Sequence, residues 1–264
     1  MRQPDLRGRG VLVTRPAHQA DRLCRLIEAA GGRAIRFPVL AIAPPLDMTA
    51  PLAAVTRLAQ YDLAIFVSPN AVEYGLELIA AHGGLPAGLR LAVVGEGSAR
   101  ALRTRLGRGP DLQPMERYDS EGLLALPELQ QVAGRRVVIF RGDGGRELLG
   151  QALRARGATV DYAEVYRRER PDVDAQALAE QLAAGAVDIV TVTSSEGLRN
   201  LLELAGAANA ARLRQLPLVV VSERTAELAK ELGFAQPAII AALASDAGLV
   251  EAVARWTGHA GESR

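Results

Sequence analysis

The sequence contains very little cysteine, histidine and lysine. Its 264 residues include one cysteine, Cys24, and three histidines, and Lys230 is the only lysine among 31 basic residues. A single cysteine excludes an intrachain disulfide framework, and so few histidines and cysteines offer no metal-ligand spacing. We therefore expect neither a disulfide scaffold nor a metal centre, and we expect Cys24 to be a packed thiol.

An excess of one charge and long apolar runs are also lacking. Basic residues number 31 and acidic residues 30, which gives no support to a broad nucleic-acid footprint. No apolar run approaches the length of a membrane span, and the basic start leads into a strand-like segment instead of an apolar signal region. These features predict a soluble, cytoplasmic protein that binds neither nucleic acid nor membrane. Hydrophobic residues make up 49% of the chain, enough to bury a sizeable core.

Short apolar runs alternate with helix-like segments along the chain. The apolar runs occupy residues 11–14, 63–67, 90–94, 135–140, 188–193 and 217–221. Polar or glycine-containing turns and then helical patterns follow these runs, as in the helix expected from about His18 to Ala30. This alternation is typical of buried parallel strands joined by crossover helices, and it predicts an α/β protein.

The chain also repeats itself. Three segments match later segments in layout and order: 9–35 and 135–160, 61–79 and 187–205, 91–107 and 218–233. Equivalent positions are 126 residues apart for Arg15 and Arg141 and 127 apart for Ser98 and Thr225. Three ordered matches at nearly one separation indicate a duplication. We therefore expect two similar α/β lobes with a ligand cleft between them.

Small polar residues, glycines and arginines follow the predicted strands. Ligands of open α/β sheets bind at the carboxyl edge, where helix N-termini offer unpaired N–H groups and a positive dipole end to an anion. Any one of these residues is also explained as a helix N-cap alone. Several strand ends of this kind, spread over two lobes, favour a binding site for a polyanion, with arginines as the partners of its carboxylates. The candidate binding residues are Thr14, Arg15, Ser68, Asn70, Gly95, Ser98, Arg141, Gly142, Arg146, Ser194 and Ser195.

Two nucleotide-binding motifs fail on inspection. The pair Gly95 and Gly97 lacks the third glycine of a dinucleotide fingerprint, because Arg100 stands at that position. The Gly144-Gly145 loop lacks the lysine and hydroxyl residue of a P-loop. We therefore expect no cofactor.

Sequence blocks that carry a family resemblance cover essentially the whole chain. They are VLVTRP, FPVLAI, YDLAIFVSPNAV, AVVGEGSARAL, SEGLLAL, VVIFRGDGGRELL, GATVDYAEVYRR, DIVTVTSSEGLRNLL and VVVSERTAELAKELGF. In these blocks, and in their order, the chain resembles the uroporphyrinogen-III synthase family. It departs from the family at Ser98, where threonine is common, and at Glu223-Arg224, where small residues often occur.

The resemblance implies a fold and a reaction. The fold would consist of two similar flavodoxin-like lobes with parallel sheets, joined by a two-stranded connector, with a cleft between the lobes. Lobe one would hold residues 1–36 and 171–264, and lobe two residues 40–166. The activity would be that of a cofactor-independent, monomeric lyase. Its substrate would be hydroxymethylbilane, a linear tetrapyrrole that is cyclised with loss of water and inversion of the last pyrrole ring.

The resemblance also implies roles for individual residues. Tyr166 would assist departure of the substrate hydroxyl as a general acid, and Thr225 would help to position the substrate. On sequence spacing alone, Tyr166 is explained equally well as a packed residue at the junction of the lobes. Because the sequence shows no other catalytic constellation, a non-catalytic two-lobe protein that binds a small polyanion is the alternative function.

Overall fold

The computed structural model describes residues 4–262 of the chain, with side chains up to residue 258. The strands β1 to β10 are Gly10–Val13, Arg33–Arg36, Ala41–Ala43, Leu63–Phe66, Arg90–Val93, Arg136–Gly142, Thr159–Glu169, Ile189–Val192, Leu218–Val220 and Ile239–Ile240. The helices α1 to α11 are Ala17–Ala29, Thr49–Thr56, Pro69–Ala81, Glu96–Leu106, Ser120–Leu124, Pro127–Gln130, Leu148–Ala155, Ala175–Ala183, Ser195–Leu213, Glu223–Glu231 and Asp246–Glu262. Helix α9 bends at Gly206, whose φ of 76° is favourable for glycine.

The described residues form two compact units. The first contains those of Met1–Ala41 and Glu169–Arg264, and the second contains Ile42–Arg168. Within residues 4–262 each unit has a five-stranded sheet, in the orders β10-β9-β8-β1-β2 and β3-β7-β6-β4-β5. Strand β1 pairs in parallel with β2 and β8, and β6 pairs in parallel with β4 and β7. The prediction of an α/β fold with parallel sheets is confirmed.

Four strands of each sheet follow the same order. Counted along the chain, the strands of the first sheet take the order 2-1-3-4-5, and the run β7-β6-β4-β5 of the second sheet corresponds to β2-β1-β8-β9. Leu112 forms a parallel bridge to Ala92 of β5. It thus lies beside β5 as β10 lies beside β9 in the first sheet. The internal repeats of the sequence therefore fall on equivalent strands.

The cores of the first unit lie on both faces of its sheet. In β1 all four residues are buried. Val11 and Val13 pack on one side with Leu23 of α1, whereas Leu12 packs on the other side with Leu198 of α9. Successive side chains of a strand point to opposite faces, so a strand covered on both faces must be apolar throughout. This is why the central strands are mostly apolar runs in the sequence. Thr191 within β8 is buried too, and its hydroxyl donates to the Leu12 carbonyl at 2.9 Å.

The lone cysteine belongs to one of these cores. Cys24 is buried in α1, and burial raises the pKa of its thiol. A buried neutral thiol packs as a small apolar group, as predicted. No helix among residues 4–262 combines the length and the apolar character needed to cross a bilayer.

A buried phenol in the second unit makes stability depend on alkaline pH. Tyr61 is 4% exposed and its hydroxyl donates to Asp161 Oδ2 at 2.5 Å. Burial and this hydrogen bond raise the pKa of Tyr61 to about 12, compared with about 10 for a free tyrosine. The folded state therefore holds this proton more tightly than the unfolded state does. The stabilisation is complete below about pH 10 and is lost as the pH rises toward 12.

We expect the free energy of unfolding of the wild-type chain to fall between pH 10 and pH 12 by up to about 2–3 kcal/mol more than that of Tyr61→Phe. The variant should also be less stable by about 1 kcal/mol at pH 7, because the hydrogen bond is lost. Urea unfolding across this pH range measures both quantities. The exposed Tyr118 supplies the control Tyr118→Phe, which should follow the wild type. Equal pH dependence in wild type and Tyr61→Phe would contradict the assignment.

Candidate active site

A cavity of about 390 Å³ lies at the carboxyl edge of the second sheet. Its lining includes five residues that the sequence singled out: Ser68, Arg141, Gly142, Arg146 and Tyr166. They meet because β4 and β6 run in parallel with Phe66 opposite Phe140, so both strands end at the same level. The cavity falls at the lower end of the size range of ligand pockets, roughly 300–1,000 Å³.

Tyr166 owes its orientation to an irregularity in β7. Arg141 of β6 lies opposite Glu164, and the next pair is Gly142 with Tyr166, so Val165 is an extra residue. In a regular strand Tyr166 would share a face with Tyr162 and Glu164. It packs instead in the same core as Val165, on the other face. The bulge therefore redirects the phenol, as bulges beside active sites often do.

The phenol of Tyr166 is fixed by two neighbours. Tyr166 is 2% exposed, and its hydroxyl lies 3.0 Å from Ser68 Oγ. Ser68 is the N-cap of α3, and its Oγ accepts a hydrogen bond from the N–H of Ala71 at 3.0 Å. The Tyr166 ring lies so close to Gly142 that a Cβ there would sit 2.6 Å from two ring carbons. Glycine at position 142 is thus a condition for this placement of the ring.

The arginines of the cavity differ in their surroundings. Arg141 is 8% exposed and donates to Glu164, Glu147 and the Gly145 carbonyl. Hydrogen bonding from Arg141 lowers the pKa of Glu147. Arg146 is exposed. A guanidinium in solvent is available to a ligand carboxylate, whereas the buried one is already partnered inside the protein.

The cavity also contains a carboxylate that the sequence reasoning did not select. Asp119 caps α5, and the hydrogen bond from the Gly122 N–H lowers the pKa of Asp119. Its negative charge therefore persists, which gives the cavity walls both signs of charge. Among the described residues, no three His, Cys, Asp or Glu side chains group closely enough to hold a metal ion.

The carboxyl edge of the first sheet carries a cluster of hydroxyl groups. Thr225 Oγ1 lies 3.0 Å from Ser222 Oγ and 3.3 Å from Ser195 Oγ. Ser222 and Ser194 are the N-caps of α10 and α9, and Ser194 Oγ accepts from the N–H of Gly197. Thr225 is 2% exposed. The predicted Thr225 and Ser195 are therefore in contact, together with Ser222, which was not among the candidate residues.

Two other candidates of the first unit have partners within the unit. The buried Thr14 donates its hydroxyl to the Thr191 carbonyl at 2.8 Å. Arg15 forms an ion pair with Asp246 at the start of α11, while its buried Nε has no hydrogen-bond partner. Thr14 thus links neighbouring strands, and Arg15 is held by a carboxylate far away in sequence.

Three further candidates lie near the edge of the second sheet but do not line the cavity. Gly95 is the N-cap position of α4, Ser98 is buried in the first turn of that helix, and Asn70 lies in the first turn of α3.

A fourth internal repeat could have revealed the missed carboxylate. Residues 119–124 (DSEGLL) and 245–250 (SDAGLV) match at the separation of 126 residues that the other repeats show. Asp119 caps the N–H of Gly122, and Ser245 caps the N–H of Gly248 in the same way. The helices that begin there are α5 and α11, so this repeat marks equivalent helix starts in the two units.

Comparison with known proteins decides the family. The family model described as "Uroporphyrinogen-III synthase HemD" matches residues 21–251. The chain belongs to the uroporphyrinogen-III synthase family. Its relatives include the uroporphyrinogen-III synthases of Salmonella typhimurium, 36% identical, and of Escherichia coli, 37% identical. Each of these alignments covers 85% of this chain and 92% of the relative. The family prediction made from the sequence is confirmed.

Solved structures of the uroporphyrinogen-III synthase family share the fold. A mutant of the Thermus thermophilus enzyme aligns with a TM-score of 0.60 at 20% identity, over 97% of this chain and all of the other. The Helicobacter pylori structure aligns with a TM-score of 0.58 at 15% identity, with the same coverage.

Gly142→Ala should destabilise the chain by about 1–3 kcal/mol, because the new methyl group overlaps the Tyr166 ring and must displace it. Gly88→Ala is the matched control, since a Cβ at position 88 meets no atom within 4 Å. Chemical unfolding of both variants measures the difference. If Gly142→Ala is as stable as Gly88→Ala, the close approach of Tyr166 to β6 is wrong.

Proposed function

We propose that the chain converts hydroxymethylbilane to uroporphyrinogen III, with loss of water and inversion of the last pyrrole ring. Membership of the uroporphyrinogen-III synthase family supports the reaction. The observation that carries the assignment to a site is the Tyr166 hydroxyl, 3.0 Å from Ser68 Oγ in a carboxyl-edge cavity. The reaction requires only that a hydroxyl leaves and that a bent chain closes, so no cofactor is needed in this scheme.

In this scheme Tyr166 donates a hydrogen bond or proton to the departing hydroxyl. Ser68 Oγ already accepts from the Ala71 N–H. If Ser68 donates its own proton to the phenolic oxygen, the phenol keeps its proton for the substrate, and the developing phenolate charge is stabilised. Departure of water leaves a conjugated azafulvene cation. The substituted α-carbon of the last pyrrole attacks this cation to form a spiro intermediate. The bond from that carbon to its original methylene bridge then breaks, and the methylene carbon bonds to the other α-carbon of the ring. This α-carbon loses its proton, which restores the phenol and leaves the ring inverted.

The substrate is a polyanion because its pyrroles carry acetate and propionate groups. The serine-capped starts of α3, α9 and α10 and the exposed Arg146 offer donors to such groups. Uncatalysed closure gives the uninverted isomer, so holding the chain in a bent geometry is the main task of the protein. The cavity beside Tyr166 would take the end of the substrate that carries the leaving hydroxyl.

The duplicated architecture suggests that both units serve one substrate. In this proposal the units are flavodoxin-like lobes joined by a two-stranded connector that includes β3 and β7, and the cleft between the lobes stays a prediction. Thr225 with Ser194 and Ser195 would position one part of the tetrapyrrole, and the Tyr166 cavity would position another. We further propose that the enzyme is monomeric and acts in the cytoplasm.

The decisive experiment is an assay on enzymically generated hydroxymethylbilane. After oxidation, chromatography separates type I from type III porphyrins. We expect the type III isomer to predominate with the protein and the type I isomer without it. Binding of the bilane with no enrichment of type III would instead favour the non-catalytic polyanion-binding protein.

Tyr166→Phe should lower kcat by about 100-fold or less, because a positioned acid contributes roughly 10²–10⁴ and the electron-rich pyrrole itself helps to expel the hydroxyl. Product affinity and the type III outcome should be unchanged. Tyr74→Phe is the matched control, since its ring lies 6.1 Å from that of Tyr166 in the same core. Full kcat in Tyr166→Phe would remove the acid role and leave Tyr166 as a packing residue.

Thr225→Ala should raise KM and lower kcat, because it removes the hydroxyl that bridges Ser195 and Ser222. The lost hydrogen bonds should also cost about 1 kcal/mol or more in stability. Thr225→Ser restores the hydroxyl and should recover most of the activity. Steady-state kinetics and urea unfolding separate the two effects. If serine recovers stability but not KM, the hydroxyl is not a positioning group.

A further inference from the structure

The buried guanidinium of Arg141 is unusually well partnered. Its Nε and Nη2 donate to Oε1 of Glu164 at 3.1 and 2.8 Å, and its Nη1 donates to Glu147 at 2.7 Å and to the Gly145 carbonyl at 3.1 Å. It also lies over the ring of Tyr162, 3.9 Å from the centroid. These contacts use four of the five N–H groups of the guanidinium. A substrate carboxylate could therefore form a forked contact with Arg141 only by displacing an existing partner, and a charge that is buried must keep its partners.

One partner of Arg141, Glu164, lies immediately before the bulge that redirects Tyr166. Glu164 is the residue paired with Arg141 immediately before the register shift, and Tyr166 follows it by two residues. The ion pair therefore fastens β6 to β7 at the last regular pair. If this pair were free to slide, the register that places Tyr166 opposite Gly142 would no longer be fixed.

The same guanidinium holds the loop that follows β6. Gly145 and Glu147 belong to this loop, and the N–H of Asp143 donates to the Tyr166 carbonyl at 2.9 Å. Arg146 lies between the two residues that Arg141 holds, and it lines the cavity. One side chain thus connects the strand that carries Tyr166 with the loop that faces it.

We propose that Arg141 and Glu164 are positioning residues that fix the orientation of the Tyr166 phenol, and that Arg141 is not a ligand of substrate carboxylates. The expected change in kcat rests on the proposed function, whereas the expected change in the orientation of the Tyr166 phenol does not. It replaces the sequence-based expectation that Arg141 pairs with substrate.

Kinetics of matched variants separate positioning from binding. Arg141→Lys keeps the charge but cannot form the forked contact, and it should lower kcat by about tenfold with KM within about twofold of wild type. Glu164→Gln should act in the same direction, and the double variant should be no worse than Arg141→Lys alone, because both substitutions break one contact. Arg146→Ala, at an exposed arginine, should raise KM instead. A raised KM with unchanged kcat in Arg141→Lys would overturn the proposal.

Fluorine NMR gives a readout that does not depend on activity. The chain has five tyrosines, and after labelling with 3-fluorotyrosine the Tyr166 resonance is assigned by its loss in Tyr166→Phe. Glu164→Gln, the milder change, should shift or broaden this resonance. Arg154→Lys is the control, because Arg154 also lies over the Tyr162 ring but donates to the Val160 carbonyl. It should leave the Tyr166 resonance in place.

The NMR experiment and the activity assay test different claims. An unchanged Tyr166 resonance in both Glu164→Gln and Arg141→Lys would overturn the proposal even if the enzyme is active. A wild-type protein that forms no type III product would overturn the proposed function, while the NMR result would still decide whether the ion pair orients Tyr166.

Discussion

Parallel strand pairing is the constraint on which the rest of the structure depends. A parallel neighbour can be reached only through a crossover, so the end of each central strand is followed by a helix N-terminus with unpaired N–H groups. Ser68, Ser194 and Ser222 each cap one of these helices with their hydroxyl oxygen. The parallel fold by itself therefore places polar residues and hydrogen-bond donors at the carboxyl edge of each sheet, independently of any catalytic role.

The duplication supplies this edge twice, but the two copies have diverged in their side chains. Ser68 and Ser194 are equivalent at a separation of 126 residues, and both cap a helix. At the same separation the position equivalent to Tyr166 is occupied by Leu40. The second unit thus carries a phenol where the first carries an aliphatic side chain, whereas the hydroxyl group of Thr225 in the first unit has a counterpart in Ser98 of the second. Two units with the same fold but different polar side chains fit a substrate whose parts make different contacts.

Local features of the fold were predictable from the sequence, and long-range ones were not. The strands appear as apolar runs because they are covered on both faces, and the cap at Ser68 follows from the residue type after a strand. The bulge in β7 depends on which residue of β6 faces Glu164, and no local pattern encodes that register. The ion pair of Arg15 with Asp246 joins residues 231 positions apart. Such a contact exists only once the sheet has brought α11 beside β1.

Long-range contacts also determine which of the arginines that follow strands are partnered within the protein. Arg15 and Arg141 are equivalent positions of the two units, and each is paired with acidic side chains of its own unit. A guanidinium at the end of a central strand is partly or wholly buried, and the cost of burying its charge is offset only by a partner within the protein. An arginine in the loop beyond, such as Arg146, remains in solvent and meets no such demand. In this architecture, distance from the strand end therefore separates arginines that are partnered within the protein from arginines that are exposed to solvent.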